Sequence, residues 1–445
     1  MPAIIRQTMS RNLARDLLND VTDNSNNSNY YIGIGKSDVF NDEDTVIAPV
    51  DSILEEQEFR NNLQSIKKVE GATFVAKRYN WSSGSVYSGT SNALGSSTPY
   101  PFYVLNDAKE VYICLETGTT ETGEVNVSTI EPNYGTLGVD HTIQFRTGDG
   151  YVWKFLFSLT PENIYQHLSS NWIPVDLPEE SLAGGDSIED LQFEVKSAAV
   201  GGQIIRSEII NPGSNFTNAP TITIEGDGEG ASATAYINNG SISKIVMDSY
   251  GHSYSYATIV VNGDGQDAKL RAVITDSNGI GYDPINDLKI SSVMFNIKPN
   301  GEEGGEFIVE NSFRQMGLMK NPNTPTGIPF TASVAKVLPT LELSSTSPFQ
   351  SGKTITGMQS GAVAYLNQSE DNILHYHQND STGFLPFQNG ESISQEGVST
   401  IATLSQKQDK NGIDRFSGDV LYIENRYRIR RDAEQQEDIK IVITL

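Results

Sequence analysis

The sequence contains the stretch IINPGSNFTNAPTITIEGDGEGASATAYI (209–237), which recurs loosely as IVMDSYGHSYSYATIVVNGDGQDAKLRAVI (245–274). The GDG triplet at 226–228 matches the one at 263–265, which gives a period of about 37 residues. Apolar runs alternate with Gly-rich turns, a pattern that predicts short strands joined by tight turns. One copy cannot bury its own apolar face. We therefore expect both copies to pack together as one β module, 195–278.

A second repeat follows, in which FQSGKTITGMQSGAVAYL (349–366) aligns without gaps on FQNGESISQEGVSTIATL (387–404). The aligned positions include a phenylalanine, a glycine, an isoleucine and a leucine in each copy. These pairs are Phe349 with Phe387, Gly352 with Gly390, Ile355 with Ile393, and Leu366 with Leu404. The alignment predicts a second small β module, 341–408.

Removing both modules leaves three pieces of chain, 1–190, 280–340 and 411–445. The last piece ends in IKIVITL (439–445), whose alternation predicts a strand with its isoleucines on the core. We expect this strand to pair with VLYIEN (420–425). The predicted fold class is therefore mainly β with a few short helices (α+β), a discontinuous core with two inserted β modules.

Local patterns place the elements of the core. Apolar spacing predicts a helix from Ser10 to about Asp20, and the capping pair Ser52 and Glu55 begins another that ends at Gly71. A third short helix is expected from Thr160 to Leu168, because proline suits the first turn. The expected strands are YYIGIG (30–35), TFVAKRY (73–79), VYICL (111–115) and YVWKFLF (151–157), and an exposed Ser/Gly-rich loop is expected at 80–100.

Charge and cysteine content exclude several classes of protein. The formal net charge of -25 argues against a nucleic-acid partner, which needs clustered Lys and Arg. Cys114 is the single cysteine, so neither an internal disulfide nor a thiolate zinc cluster is possible, and we expect folding in a reducing cytoplasm. No stretch reaches about 18 apolar residues, and the N-terminus lacks the features of a signal peptide, so we expect no membrane partner.

Two motifs contain residue types used in binding sites. The turn GDGYVW (148–153) contains Gly148, Asp149 and Gly150, followed by Tyr151 and Trp153. It lacks the lysine of a phosphate loop and the acidic ladder of a calcium loop, so we interpret it as a tight turn with positive φ at Gly and a capping Asp. The GDG triplets of the first repeat have the same interpretation.

His375 and His377 lie two apart on an expected strand, so both imidazoles can face one metal ion. Asp371 and Asp380 are candidates for a third ligand. The alternative, which we favour, is that both histidines are exposed polar residues on an edge strand. We expect no cofactor.

No catalytic pattern stands out. The sequence has no G-x-S-x-G elbow, and His141 and His167 have no motif around them. The one basic cluster, RYRIRR (426–431), can meet a phosphate or a partner's acidic patch, or can balance the acidic run that follows it.

Six segments of the core pieces carry a common resemblance. They are YYIGIGKSDVF (30–40), EVYICLETG (110–118), GDGYVWKFLFSLTP (148–161), NWIPVDLPEE (171–180), FRQMGLMKNP (313–322) and SGDVLYIENRYRIRRDAEQQEDIKIVITL (417–445), which includes Glu424, Asn425 and Arg426. Together they resemble the baseplate wedge protein of contractile-tailed bacteriophages that sits at the outer part of the wedge. They fall in order along all three core pieces. The resemblance does not extend to 195–278 or 341–408.

This resemblance implies a mostly β structural subunit without a catalytic site. It implies a homodimer that joins neighbouring wedge proteins, located in the tail baseplate of the virion and assembled in the host cytoplasm. A receptor-binding adhesin that recognises host glycans is the alternative, and a polysaccharide-degrading tail enzyme is a third reading. Adhesins and depolymerases commonly form trimers, so the solution mass separates them from a dimer.

Overall fold

The computed structural model describes residues 6–23, 28–40, 45–90, 100–176, 188–299, 312–408, 412–430 and 437–445. Parts of two quoted segments, 177–180 and 431–436, lie outside these ranges, as does 91–99 of the expected loop. The chain divides into two compact units. The first unit comprises 1–15, 73–294 and 443–445, and the second comprises 16–72 and 295–442.

The described residues form short helices and many strands. The helices are α1 (Gln7–Thr22), α2 (Ile53–Asn62), α3 (Tyr134–Leu137), α4 (Pro161–Gln166), α5 (Ile188–Ser197) and α6 (Pro284–Asp287). The strands are β1 (Tyr30–Gly35), β2 (Leu63–Lys68), β3 (Gly71–Lys77), β4 (Tyr103–Leu105), β5 (Glu110–Glu116), β6 (Phe145–Arg146), β7 (Val152–Ser158), β8 (Trp172–Val175), β9 (Ile204–Asn211), β10 (Thr221–Gly226), β11 (Glu229–Asn238), β12 (Ser241–His252), β13 (Ala257–Asn262), β14 (Lys269–Ile274), β15 (Ser292–Ile297), β16 (Ser312–Lys320), β17 (Val334–Lys336), β18 (Thr340–Leu343), β19 (Lys353–Gly357), β20 (Val363–Glu370), β21 (Ile373–His377), β22 (Ser392–Gln395), β23 (Ala402–Gln408), β24 (Asp419–Arg430) and β25 (Ile439–Thr444). The predicted class, mainly β with a few short helices, is confirmed.

A five-stranded sheet in the second unit has the order β17-β2-β1-β16-β24. Its centre is β1, buried along its whole length and paired antiparallel with β16 and β2. Gly33 has no room for a side chain, since a Cβ there would lie 2.6 Å from Leu63. This close approach lets α2 and β2 cover the strand.

The predicted helix that ended at Gly71 is wrong in its second half. Ser52 does cap α2, accepting the Glu55 N–H at 3.1 Å, but the helix ends at Asn62. The Asn62 carbonyl accepts the Lys36 N–H (3.2 Å), and the chain continues as β2 between β1 and β17. Sheet pairing thus overrides the helical spacing of Leu63 and Ile66.

The α1 prediction also needs correction. The helix begins at Gln7, three residues before the expected cap Ser10. Leu13, expected in the apolar stripe, is 47% exposed, and Ala14 is the residue that is fully buried. The apolar contact that α1 makes with the rest of the protein is therefore smaller than a buried stripe of leucines would give.

The second repeat forms a closed barrel of six strands, β18-β21-β20-β19-β22-β23. Matched positions of the repeat have matched environments. Phe349 and Phe387 are buried, Ile355 and Ile393 are fully buried, and Leu366 and Leu404 are fully buried. Gly352 and Gly390 have φ of +84° and +85°, and each donates its N–H at 2.8 Å to the carbonyl of the leucine in its own copy.

The first repeat forms a six-stranded sheet, β12-β11-β10-β13-β14-β9, in the first unit. Its two copies place β10 and β13 side by side at the centre, with Ile224 opposite Ile259. The remaining strands follow in mirrored order on each side. The division into a discontinuous core, 1–190, 280–340 and 411–445, with two inserted modules stays a prediction.

The GDG triplets of this sheet reach across from one copy to the other. A Cβ on Gly265 would lie 2.5 Å from the ring of Phe216, and a Cβ on Gly228 would lie 2.5 Å from the ring of Tyr254. These glycines do not have the positive φ that we expected of the triplets. They are needed because an aromatic ring of the other copy packs directly on the backbone.

The aspartates of the same triplets cap the loop that carries that ring. Asp227 accepts the Ser255 N–H at 2.9 Å and its hydroxyl at 2.5 Å. Asp264 accepts the Thr217 N–H at 3.2 Å and its hydroxyl. Each GDG triplet thus contacts and hydrogen-bonds a loop of the opposite copy, which explains why the triplet recurs with the period of the repeat.

Two four-stranded sheets complete the fold, β4-β5-β7-β6 and β25-β15-β3-β8. The predicted pairing of the last strand with 420–425 is wrong, since β25 lies beside β15 and β24 beside β16. The expected orientation is confirmed for Ile439 and Ile441, which are 6% and 0% exposed. Alternation fixed which face is buried but contained no information on the neighbouring strand.

Candidate functional site

The GDGYVW turn is held by one carboxylate. Asp149 accepts the N–H groups of Thr129 (2.7 Å) and Ile130 (3.0 Å) and the hydroxyl of Thr147 (2.5 Å). Gly150 has φ +93° and donates its N–H to the Thr147 carbonyl at 2.9 Å. This geometry is that of a tight turn whose aspartate caps a neighbouring loop.

The ionisation of Asp149 fits this structural role. Burial favours the neutral acid, but the hydrogen bonds from Thr147, Thr129 and Ile130 outweigh burial and hold the pKa of Asp149 below its ordinary value. The carboxylate oxygens are therefore occupied by protein donors rather than directed at a ligand. Gly148 completes the turn, with Ile130 packed 3.2 Å from the position of a Cβ.

The aromatic residues after the turn lie in the core of the first unit. Tyr151 and Trp153 are fully buried and stack with ring centroids 5.8 Å apart. Tyr87 is buried as well and meets Trp153 edge-on at 5.5 Å. The expected exposed loop at 80–100 is exposed at Asn80 and at 82–84, but the prediction is wrong at Tyr87, which anchors the loop to the core.

His375 and His377 are not exposed, and their strand is not at an edge. They are 8% and 0% exposed, on β21 between β18 and β20 of the closed barrel. Leu374 and Tyr376 fill the barrel interior, so the two imidazoles point outward from it. The favoured sequence interpretation is therefore wrong, because other parts of the second unit cover this face.

His377 belongs to a buried hydrogen-bond network. Its Nδ1 lies 2.7 Å from the Asn367 side-chain oxygen, and its Nε2 lies 3.7 Å from Asp38. Burial lowers the pKa of His377 and lowers that of His375 to about 4. Both imidazoles are neutral at pH 7 and act as polar packing groups.

The candidates for a third metal ligand lie in turns. Asp371 has φ +47° between β20 and β21, and the Asp380 N–H donates to Glu58 at 3.1 Å. Within the ranges that the structure describes, no group of three or more His, Cys, Asp or Glu side chains is arranged to hold a metal ion.

Glu424, Asn425 and Arg426 lie on β24, the last of the five strands described in its sheet. The Arg426 Nε donates to Glu424 at 2.8 Å along the strand. Asn425 accepts from Gln315 of β16 (2.9 Å) and donates to the backbone carbonyl of Ile47 (2.8 Å). This last bond ties the segment that precedes α2 to the edge of the sheet.

That segment and the first turn of α2 expose several apolar side chains. Val50, Ile53 and Leu54 are 65%, 76% and 72% exposed, and Ile47 is 41% exposed. Tyr427 on β24 is 67% exposed. We call these residues and β24 the edge surface. The sequence analysis predicted a helix that includes Ile53 and Leu54, but it did not predict that these side chains are exposed.

The edge surface has the composition of a contact site. Large apolar side chains clustered on a monomer surface mark places where another molecule binds. An edge strand also offers unpaired backbone groups to a partner strand. The register between β16 and β24 is irregular at Phe313/Gln315 and Leu318/Met319. Irregularities of this kind bend a strand and hinder the pairing of a further strand with it.

No protein-family model matches this sequence, and no curated protein matches it. No helix in the described ranges is long and apolar enough to cross a membrane.

Proposed function

We propose that this chain is a structural subunit of the baseplate wedge of a contractile phage tail, which assembles with itself and with neighbouring wedge proteins. The proposal starts from the resemblance of 30–40, 110–118, 148–161, 171–180, 313–322 and 417–445 to that family. The edge surface is the observation that carries it. Ile53 and Leu54 are each more than two thirds exposed, and exposed apolar patches of this kind are typical of surfaces that bind another molecule.

The distinctive motifs fit a structural role. Asp149 accepts hydrogen bonds within a turn, and His377 lies 2.7 Å from Asn367 on the outer face of the barrel. Asp227 of the first repeat accepts a hydrogen bond from the opposite copy. The Cys114 thiol is fully buried, and burial raises its pKa, which disfavours the reactive thiolate. Each of these groups is used to hold the fold.

The self-association part of the proposal is tested by solution mass. Light scattering at micromolar concentration should give about twice the 48.7 kDa of one chain. The double variant Ile53→Asp/Leu54→Asp should be monomeric, because charges on both positions oppose burial of the edge surface. The matched control is Ile328→Asp, a 63% exposed isoleucine of the same unit that does not belong to the edge surface as defined above.

Three results would count against this proposal. A trimer would favour the adhesin, and a dimer that survives the double variant would place self-association elsewhere on the chain. A monomeric Ile328→Asp variant would show that any added charge disturbs assembly and would remove the case for the edge surface.

A further inference from the structure

We propose that a loop of the closed barrel extends the edge surface and is covered by the same second copy of the chain. The loop is 378–386, between β21 and β22, and we call it the barrel loop. It exposes Phe384 and Leu385, which are 54% and 58% exposed. The inference rests on the self-association proposed above, and it assigns part of that contact to the second repeat module.

The repeat itself provides a reference for this exposed apolar pair. Extending the gapless alignment towards the N-terminus aligns TSPF (346–349) with FLPF (384–387). In the first copy the two places are taken by Thr346, which is exposed, and by Ser347, whose hydroxyl accepts the Phe349 N–H at 3.1 Å. One copy therefore folds with polar residues at these places. The apolar pair of the other copy is thus not required by the barrel, and its exposure indicates a contact with another molecule.

Hydrogen bonds within the barrel loop fix the position of the apolar pair. The Asn379 side-chain oxygen accepts the N–H groups of Ser381 (3.0 Å) and Thr382 (3.2 Å). The Gln378 side-chain amide donates to the Leu385 carbonyl at 2.8 Å and closes the loop. A segment that is already ordered loses little conformational freedom when a partner binds it. The barrel loop is therefore a preorganised contact surface.

The barrel loop is joined to the helix that carries part of the edge surface. The Asp380 N–H donates to the Glu58 carboxylate of α2 at 3.1 Å. The Asn379 side chain donates to the Asn62 side-chain oxygen, one turn further along α2, at 3.1 Å. Leu54 lies four residues before Glu58, and residues four apart lie on the same face of a helix. The edge surface and the barrel loop therefore adjoin along one side of α2.

A single partner is large enough to cover both surfaces. A standard protein interface buries about 800 Å² on each partner, which corresponds to a patch roughly 30 Å across. Leu54 is separated from the helical residue that binds the barrel loop by one turn, about 5.4 Å. Both surfaces therefore fit within one interface of ordinary size.

The charge distribution favours a second copy of the chain as that partner. Two copies that each have a net charge of -25 repel one another wherever they bring charged groups together. The stretches 47–54 and 378–386 contain one ionisable side chain each, Asp51 and Asp380. Two acidic copies can therefore approach one another through these apolar stretches with little electrostatic cost.

The first test is sedimentation equilibrium of the double variant Phe384→Thr/Leu385→Ser, which gives the second copy the residues of the first. The dissociation constant of the dimer should rise roughly tenfold or more, because the contact loses two large apolar side chains. The matched control is Ile401→Thr, at a 53% exposed isoleucine of the same barrel that does not belong to the barrel loop. Its dissociation constant should stay within about twofold of the wild type.

The outcomes separate this inference from the proposed function. A dimer that is lost in Ile53→Asp/Leu54→Asp but unchanged in Phe384→Thr/Leu385→Ser would overturn the extension onto the barrel and leave the edge surface in place. A monomeric wild type would contradict the self-association and the second copy as the partner. Equal weakening in Ile401→Thr would also overturn the inference, because the effect would not depend on the barrel loop. Unchanged melting temperatures of both variants ensure that unfolding is not the cause.

A thiol probe tests directly whether the barrel loop is covered. Cys114 is the single cysteine and is fully buried, so Phe384→Cys introduces the one accessible thiol of the chain. Its rate of reaction with a maleimide should fall as the protein concentration rises through the dissociation constant of the dimer. In the matched control Thr346→Cys, at the equivalent place of the first copy, the rate should not depend on concentration. A rate for Phe384→Cys that is equally independent of concentration would overturn the proposal.

Discussion

Acidification should destabilise the second unit through its buried histidines. The folded pKa of His375 is about 4, below the ordinary value of about 6.5 for an unfolded chain. Between these two pH values the His375 imidazole is protonated in the unfolded chain but neutral in the folded chain. The free energy of unfolding therefore falls as the pH falls from 6.5 towards 4. At pH 5.5 the loss from His375 alone is about 1 kcal/mol relative to pH 7, and about 3 kcal/mol over the whole window. His377 acts in the same direction.

The positions of the tryptophans allow the loss of stability at low pH to be assigned to one unit. Trp81, Trp153 and Trp172 all lie in the first unit, so tryptophan fluorescence reports that unit, whereas circular dichroism reports both. Urea unfolding at pH 7 and pH 5.5 should shift the dichroism curve more than the fluorescence curve. His375→Gln should reduce that shift, and the difference from the wild type isolates this one group.

The matched control is His252→Gln, a substitution at an exposed histidine of the first unit, which should leave the shift unchanged. Equal pH shifts in the wild type and in His375→Gln would refute the reasoning about burial. Stabilisation of the wild type by zinc, lost in His375→Gln, would instead support the metal pair that the sequence allowed.

Three further perturbations probe the packing. Asp149→Ala should lower the free energy of unfolding by about 2–4 kcal/mol, because two backbone N–H groups lose their acceptor. The control Asp107→Ala, at an exposed aspartate, should lower it by less than about 0.5 kcal/mol. Urea midpoints measured by fluorescence compare the two variants. Gly265→Ala should cost about 1–3 kcal/mol through its clash with an aromatic ring, and an unchanged calorimetric melting temperature would show that the ring simply moves. Truncation after Asp438 removes two buried isoleucines worth about 3–6 kcal/mol and should give insoluble protein, while Ile441→Val should cost only about 0.5–1.5 kcal/mol. A soluble truncation with the wild-type melting temperature would make β25 peripheral.

Much of the fold could be predicted from local patterns. Alternation and turn residues located β1, β5 and β7, and the Thr160 cap with Pro161 located α4. Each of these depends on residues close in sequence. Two predictions were wrong for the same reason: the helix that continued through Leu63, and the pairing of the last strand with 420–425. In both places, pairing between strands that are distant in sequence determines the structure. α5 was not predicted, although Ile188 to Ser197 contains acidic residues in its first turn and Lys196 in its last.

The candidate sites were predicted less well. The sequence identified the Asp149 turn from its residue types, but it could not show which loop the carboxylate caps. Burial of His377 depends on the loop after β1, more than 300 residues earlier in the chain. The exposure of Ile53 and Leu54 was not predicted, because apolar residues on a helix do not reveal whether the surface that they contact lies within the same chain.

The position of this chain in a reconstructed contractile tail tests the central claim most directly. Electron cryo-microscopy of phage particles that contain the chain should locate paired copies in the outer part of the baseplate, with Ile53 and Leu54 covered by a neighbouring subunit. Density at the tip of a tail fibre, single or threefold copies, or an uncovered edge surface would contradict the account.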